Sequence, residues 1–181
     1  MFSEEQIIRA CKKNDKKAQK MLYNRFAPIM LGICMRYALS RPEAEDIMQE
    51  GFLKIFLKIK QYQGTGSFEG WMRKIIINTA ISNYRKNLKH YYQDDLDNVS
   101  DINSYTVSYG EFTKDELLKV IRELSSGYRI IFNMFAIEGY KHKEIAKMLN
   151  IDVATSKSQY SRAKKIIRKN LINLSVERTI A

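Results

Sequence analysis

Chain breakers are scarce in this sequence, with eight glycines and two prolines among 181 residues. So few turn formers exclude a sheet of many short strands. They leave room for long helices built from Lys, Leu, Ile, Met and Ala. Cysteine is nearly absent too. Cys11 and Cys34 are far apart, and each falls in a helical apolar pattern, so both read as buried thiols rather than a disulfide framework. His90 and His142, the two histidines, complete no metal-ligand spacing with them. A Gly-rich phosphate loop, an HExxH motif and a nucleophile elbow are all missing, so catalysis has no visible home and no cofactor is implied. No hydrophobic run approaches the roughly 20 residues that span a bilayer. The N-terminal MFSEEQIIRACKKNDKK lacks the layout of a signal peptide. A cytoplasmic protein without membrane insertion is expected.

What the chain does have is positive charge. The net charge is +11, which favours a polyanionic partner, nucleic acid or an anionic membrane surface. It is unevenly spread. Residues 1–90 carry 17 Lys/Arg against 8 Asp/Glu, and residues 113–181 carry 14 against 7. Between them, YYQDDLDNVSDINSYTVSYGEF holds five acids and no base, and shows no sustained helical period. The pattern predicts an all-α protein of two small helical domains, 1–90 and 113–175, joined by an acidic flexible linker over 91–112.

In the first domain, apolar positions at helical spacing predict helices over residues 4–20 and 21–38. Ser40, with Glu43 three residues on, makes a capping box for a third helix that runs from Arg41 to about Tyr62. Its apolar face is Ala44, Ile47, Met48, Gly51, Phe52, Ile55, Phe56 and Ile59. Gly64 and Gly66 stop it, and Ser67 caps a helix from Phe68 to Leu88 with Trp71, Ile75, Ile77, Ile81, Tyr84 and Leu88 inward.

The sharpest motif is GYKHKEIAKMLNIDVATSKSQYSRAKKIIRKNL, residues 139–171. A short helix over Lys141–Leu149 and a longer one over Val153–Leu171 flank a turn at Asn150, whose side chain tolerates left-handed backbone. Ala146 permits close crossing, Ile151 plugs the angle, and Asp152 can cap the second helix. This is a helix-turn-helix. Outward on its second helix lie Thr155, Lys157, Ser158, Gln159, Ser161, Arg162, Lys164 and Lys165, short polar groups and cations suited to the major groove.

Two features of the first domain need another explanation. Asp46 and Glu50 are four residues apart with Gln49 beside them, an acidic patch in a basic domain that suggests protein contact. The segment QYQGTGSFEGW sets aromatic rings beside flexible backbone, with Arg73 and Lys74 following, a composition that could hold unstacked bases. Tyr62, Gly64, Thr65, Ser67 and Phe68 are the loop candidates, whereas Phe52 and Trp71 read as core. Asn78, Asn83 and Arg85 continue a polar helical face suited to phosphates.

These motifs together resemble the extracytoplasmic-function branch of the bacterial sigma-70 family. RPEAEDIMQEGFLKIF and FEGWMRKIIINTAISNYRKN look like its region two, and the stretch from LSSGYRIIFNMF through RAKKIIRKNL like its region four. The resemblance implies a protein that directs core RNA polymerase to promoters. Asp46, Gln49 and Glu50 then meet the β′ coiled coil, and Phe52, Lys54 and Phe56 lie in the strand-opening stretch. Tyr62–Phe68 captures a flipped base of the single-stranded −10 element, beside Asn78, Asn83 and Arg85. Lys157, Ser158, Ser161 and Arg162 face the duplex −35 groove, the second domain docks on the β flap, and an anti-sigma protein is an expected partner.

The sequence departs from the family in three places. Ala154-Thr155-Ser156 stands where Gly-Thr-Val is frequent, Gln159 replaces a common Arg, and Asn150 replaces the turn glycine. Two rival readings compete. A helix-turn-helix regulator acting without polymerase leaves the acidic patch and QYQGTGSFEGW unexplained. A structural or adaptor protein would bind neither DNA nor polymerase.

Overall fold

The computed structural model describes residues 2–91 and 112–180, excluding the side chains of 88–91, 114, 177, 179 and 180. The acidic segment 92–111 lies outside the described residues. All regular structure among the described residues is helical, and contacts divide the chain into two units, Met1–Asn83 and Tyr84–Ala181. Among these residues no helix is long and apolar enough to cross a membrane.

The first unit is built from α1 (Glu4–Lys12), α2 (Lys16–Tyr37), α3 (Arg41–Lys58) and the part of α4 (Phe68–Tyr91) up to Asn83, with a 3-10 turn at Ile59–Gln61 closing α3. Local chemistry sets most of the boundaries. Ser3 and Gln6 form a reciprocal capping box at α1, and the Asp15 carboxylate accepts the Lys17 and Ala18 amides at the start of α2. The expected break near residue 20 is therefore corrected to Asn14–Asp15, where Asn14 takes φ 62°. Ser40 caps α3 through the Glu43 amide at 3.3 Å, but the Glu43 carboxylate reaches one residue further back than a capping box requires, to the Leu39 amide at 2.7 Å.

Leu22, Phe26, Met30 and Ile33 of α2 share the core with Ala44, Ile47, Phe52 and Ile55 of α3 and Met72, Ile76 and Ile77 of α4. Each fully buried side chain of this kind contributes about 1.5–3 kcal/mol. Along α4, Ile77 and Ile81 are buried as expected, but the first two turns differ by one residue from the expected register. Met72 and Ile76 point fully inward, while Trp71 and Ile75 are half-buried. Gly51 is fixed by close approach, because a Cβ there would stand 2.3 Å from Ile76 Cδ1. Cys11 and Cys34 are buried free thiols, and burial pushes them up to about 11 and about 12.

The second unit holds α5 (Lys114–Arg122), α6 (Ser126–Phe132), α7 (His142–Leu149) and α8 (Val153–Ile180). A π turn at Asn133–Ile137 ends α6, where the Glu138 amide reaches the Asn133 carbonyl. α8 extends nine residues past the expected end at Leu171. The extension is held because Leu171, Leu174 and Ile167 pack on Val120 and Leu117 of α5. Phe112 joins this cluster, so it belongs to the second unit rather than to a linker. Arg178 pairs with Glu116, and Asn170 donates to Glu123 at 3.0 Å. Hydrogen bonds from Thr113, together with Arg178, hold the Glu116 carboxyl down to about 2.

Asn150 ends α7 in the left-handed conformation, φ 57° and ψ 50°. A side chain without a local hydrogen-bonding tip costs roughly 1–2 kcal/mol in that conformation. Asn150→Ala should lower the thermal unfolding midpoint of the second unit, whereas Asn150→Gly should preserve or raise it. Equal losses from both substitutions would show that the backbone conformation is not what matters there.

Candidate nucleic-acid interface

Three exposed surfaces carry the candidate residues. The first is on α3, where Asp46 and Gln49 are exposed and Glu50 is half-exposed, its carboxylate 2.7 Å from Lys54 Nζ. Lys54 also donates to the buried Thr79 hydroxyl at 3.3 Å, which ties the end of the patch to α4. The same helical stripe continues into Leu53 and Leu57, which are 65% and 81% exposed. Sequence reasoning missed these two leucines. They were detectable as large apolar residues that fall outside the inward face of α3. Phe56 is half-buried, its ring centroid 6.0 Å from that of Phe52.

The second surface is the loop between α3 and α4. Gln63, Gly64, Thr65, Gly66 and Ser67 are all exposed, and Gly64 and Gly66 take φ 81° and 82°. Ser67 caps α4, accepting the Gly70 amide at 2.9 Å. The Tyr62 and Phe68 rings, expected as stacking groups, are only 9% and 1% exposed. This corrects the idea that both face a base from the loop. They pack edge-on at 5.0 Å, with the half-buried Trp71 stacked on Phe68 at 5.5 Å.

Tyr62 is held at both ends. Its hydroxyl donates to the Gly66 carbonyl at 2.7 Å, and its own carbonyl accepts Lys12 Nζ at 2.7 Å. A pocket of about 450 Å³ opens between this loop and α1. It is lined by Glu4, Glu5, Arg9 and Lys12 on one side and Tyr62, Gln63, Gly64, Gly66, Ser67 and Phe68 on the other. The wall from α1 was not anticipated.

Along α4, Lys74, Asn78 and Arg85 are exposed and share one helical face. Arg73 is half-buried to one side. Asn83 is separated from them, because its amide donates to the Glu43 carboxylate at 3.1 Å and braces the start of α3.

The third surface is on α8. Lys157, Ser158, Ser161, Arg162 and Lys165 form one exposed stripe together with Ala154. Thr155 and Gln159 sit half-buried at its edge. The geometry beneath is that of a helix-turn-helix. Ile145, Ala146 and Leu149 of α7 are buried, as is Ala163 of α8, and the Ile151 amide bonds back to the Ala146 carbonyl at 3.0 Å. Ser156 is fully buried at the crossing. It is not left unsatisfied, because its hydroxyl lies 2.9 Å from His142 Nδ1. His142 in turn stacks on Phe135 at 4.2 Å and meets Tyr160 edge-on.

Comparison with known proteins gives these surfaces a frame. The chain matches Sigma-70 region 2 over residues 22–90 and Sigma-70, region 4 over residues 114–167. The chain belongs to the sigma-70 family, in its extracytoplasmic-function branch. It is an RNA polymerase sigma factor. The sequence is 24% identical over 183 residues to the ECF RNA polymerase sigma-E factor of Haemophilus influenzae, covering 94% of this chain and 96% of that one. It is 27% identical over 179 residues to the ECF RNA polymerase sigma factor SigW of Bacillus subtilis, covering 92% and 96%. The fold also resembles the sigma factor RpoE, solved in complex with the anti-sigma factor NepR from Bartonella quintana. There the TM-score is 0.51 and the identity 20%, covering 84% of this chain and 95% of that one.

Besides residues 91–113 between the two matches, α1 with the start of α2 and the end of α8 beyond residue 167 fall outside the matched regions. Of these, α1 walls the loop pocket and the end of α8 packs on α5.

Desolvation, then the nearby Lys157 charge, lowers the His142 pKa below its ordinary 6.5. The unfolded chain therefore takes up a proton before the folded one does. Stability of the second unit should be full above about pH 6.5 and fall as pH drops below it. His142→Gln should flatten that dependence in thermal melts between about pH 5 and 8; an unchanged slope would assign it to other groups.

Proposed function

We propose the following division of labour within this sigma factor. Asp46, Gln49 and Glu50, extended by Leu53 and Leu57, bind the β′ coiled coil of core polymerase. The Gln63–Ser67 loop and its pocket receive an unpaired base of the −10 element. Phe56, at the edge of the same helix bundle, supports strand opening. Lys74, Asn78 and Arg85 hold the adjoining phosphates, with Arg73 at their flank. Lys157, Ser158, Ser161, Arg162 and Lys165 read the duplex −35 element, with Thr155 and Gln159 at the groove edge. The second unit docks on the β flap.

One observation carries this reading over that of a polymerase-independent regulator: the exposed acidic and apolar stripe of α3. Two exposed leucines in a continuous face with acids mark a protein-binding surface, which DNA would not occupy. The domain limits fit the same scheme, region two over 1–90 and region four from 113, here carried to the end of α8. The protein makes and breaks no bond, and it works in the cytoplasm, where polymerase and promoter are. An anti-sigma protein is an expected partner, a reading supported by the co-crystal of the related RpoE with NepR.

Run-off transcription with purified core polymerase and a promoter library tests the whole. Specific starts should appear only when this protein is added. Asp46→Asn combined with Glu50→Gln should weaken core binding about tenfold, equivalent to ~1.4 kcal/mol. An unchanged polymerase affinity would remove the patch from the interface. Lys157→Ala with Arg162→Ala should weaken promoter binding and reduce its salt slope by roughly one for each phosphate no longer neutralised. Equal slopes would take that stripe off the DNA.

A further inference from the structure

The junction of α1 and α2 carries the sequence KKNDKKAQK, residues 12–20, N-terminal to the matched region two. Lys13, Lys16, Lys17 and Lys20 are all exposed, and none is in an ion pair among the described residues. Asp15 is the one acid among them, and its carboxylate is engaged by the Lys17 and Ala18 amides.

This placement works against local stability. Lys16 and Lys17 stand in the first turn of α2, where the helix dipole disfavours cations, and the Asp15 carboxylate at the N-cap is the one acid set against them. Lys20 repels both at three- and four-residue spacing. A merely solvated face would place acids there, as the first turn of α1 does with Glu4 and Glu5.

The cluster also adjoins the candidate loop. Lys12, its first member, donates to the Tyr62 carbonyl at 2.7 Å and lies over the Tyr62 ring at 5.8 Å. The 3-10 turn that leads into the loop packs on α1 and adds the exposed Lys60.

We propose that Lys13, Lys16, Lys17 and Lys20 form a phosphate track that holds the single DNA strand where it leaves the Gln63–Ser67 loop. The track rests on the reading of that loop as a single-strand site. It binds backbone rather than bases, so it adds affinity for any sequence beyond the loop.

The test uses holoenzyme assembled from core polymerase and the full chain, with fluorescent single-stranded oligonucleotides that carry the −10 sequence and are extended stepwise beyond it. Wild type should gain affinity as the strand lengthens. The variant K13Q/K16Q/K17Q/K20Q should lose that gain, and its salt slope should fall by about 3, at roughly 0.7 for each phosphate on a single strand. Its polymerase affinity should be unchanged and its melting midpoint equal or higher, since repulsion is relieved. An identical length dependence and salt slope in the variant would overturn the track while leaving the loop intact. A loss of polymerase binding instead would overturn it in favour of a contact with an acidic protein surface. Wild-type holoenzyme that retains no oligonucleotide at all would sink both the track and the loop reading.

Discussion

Tyr62 fixes the shape of the loop between α3 and α4, the surface proposed to receive an unpaired base. Its ring is shut into the core against Phe68, its hydroxyl holds the Gly66 carbonyl, and its carbonyl holds Lys12 of α1. Two hydrogen bonds and one buried ring thus tie the loop to α1 and to itself. The glycines that flank Thr65 can then take positive φ without letting the segment wander. A site that must receive a base removed from its stack gains from such prior order, because the loop loses less entropy on binding. The rings are therefore supports, and the exposed surface of the loop is backbone and small polar side chains.

The second unit solves a related problem with a different pair. Ala146 of α7 is buried beside α8, and Ala163 further along α8 is buried against Leu124 and Tyr128. Ser156 brings a hydroxyl into the dry crossing of α7 and α8. Buried alone it would cost about 1–3 kcal/mol, but His142, at the start of α7, supplies the partner. The ring of His142 is itself packed between Phe135 and Tyr160. The angle of the recognition helix therefore rests on a small polar and aromatic cluster in place of an apolar plug.

Much of this was legible in the sequence where the determinants are local. Ser40, Ser67 and Asn150 announced their helix ends, and the exposed stripe of α8 followed from its period. Where several phases are equally apolar, periodicity does not choose among them. In α4 the run Ile75-Ile76-Ile77 allows more than one inward face, and packing against Gly51 of α3 decides it. The break at Asn14 is hidden because the apolar positions Ile7, Cys11, Ala18 and Leu22 keep helical spacing across it. Partners distant in sequence were invisible: Ser156 with His142, Asn83 with Glu43, the tail of α8 with α5. Loop membership also says nothing about where a ring points, which is why the exposure expected of Tyr62 and Phe68 is not found.

The charge pattern gives the proposed surfaces different responses to their surroundings. In a chain of net charge +11, DNA is attracted to almost any open face. Asp46 and Glu50 make one face repel phosphate, and that face presents Leu53 and Leu57. Apolar contact there depends little on ionic strength, whereas each lysine or arginine contact to phosphate weakens as counterions compete. On the proposed assignment, at physiological salt with a screening length of about 8 Å, the apolar part of an attachment through α3 would outlast non-specific DNA binding by the separate units. Once polymerase holds the first unit, the second meets DNA at a raised effective concentration, and modest contacts at each surface suffice for selection. On that assignment, weak DNA surfaces combined with a partly apolar protein surface would keep the free chain from scattering along DNA.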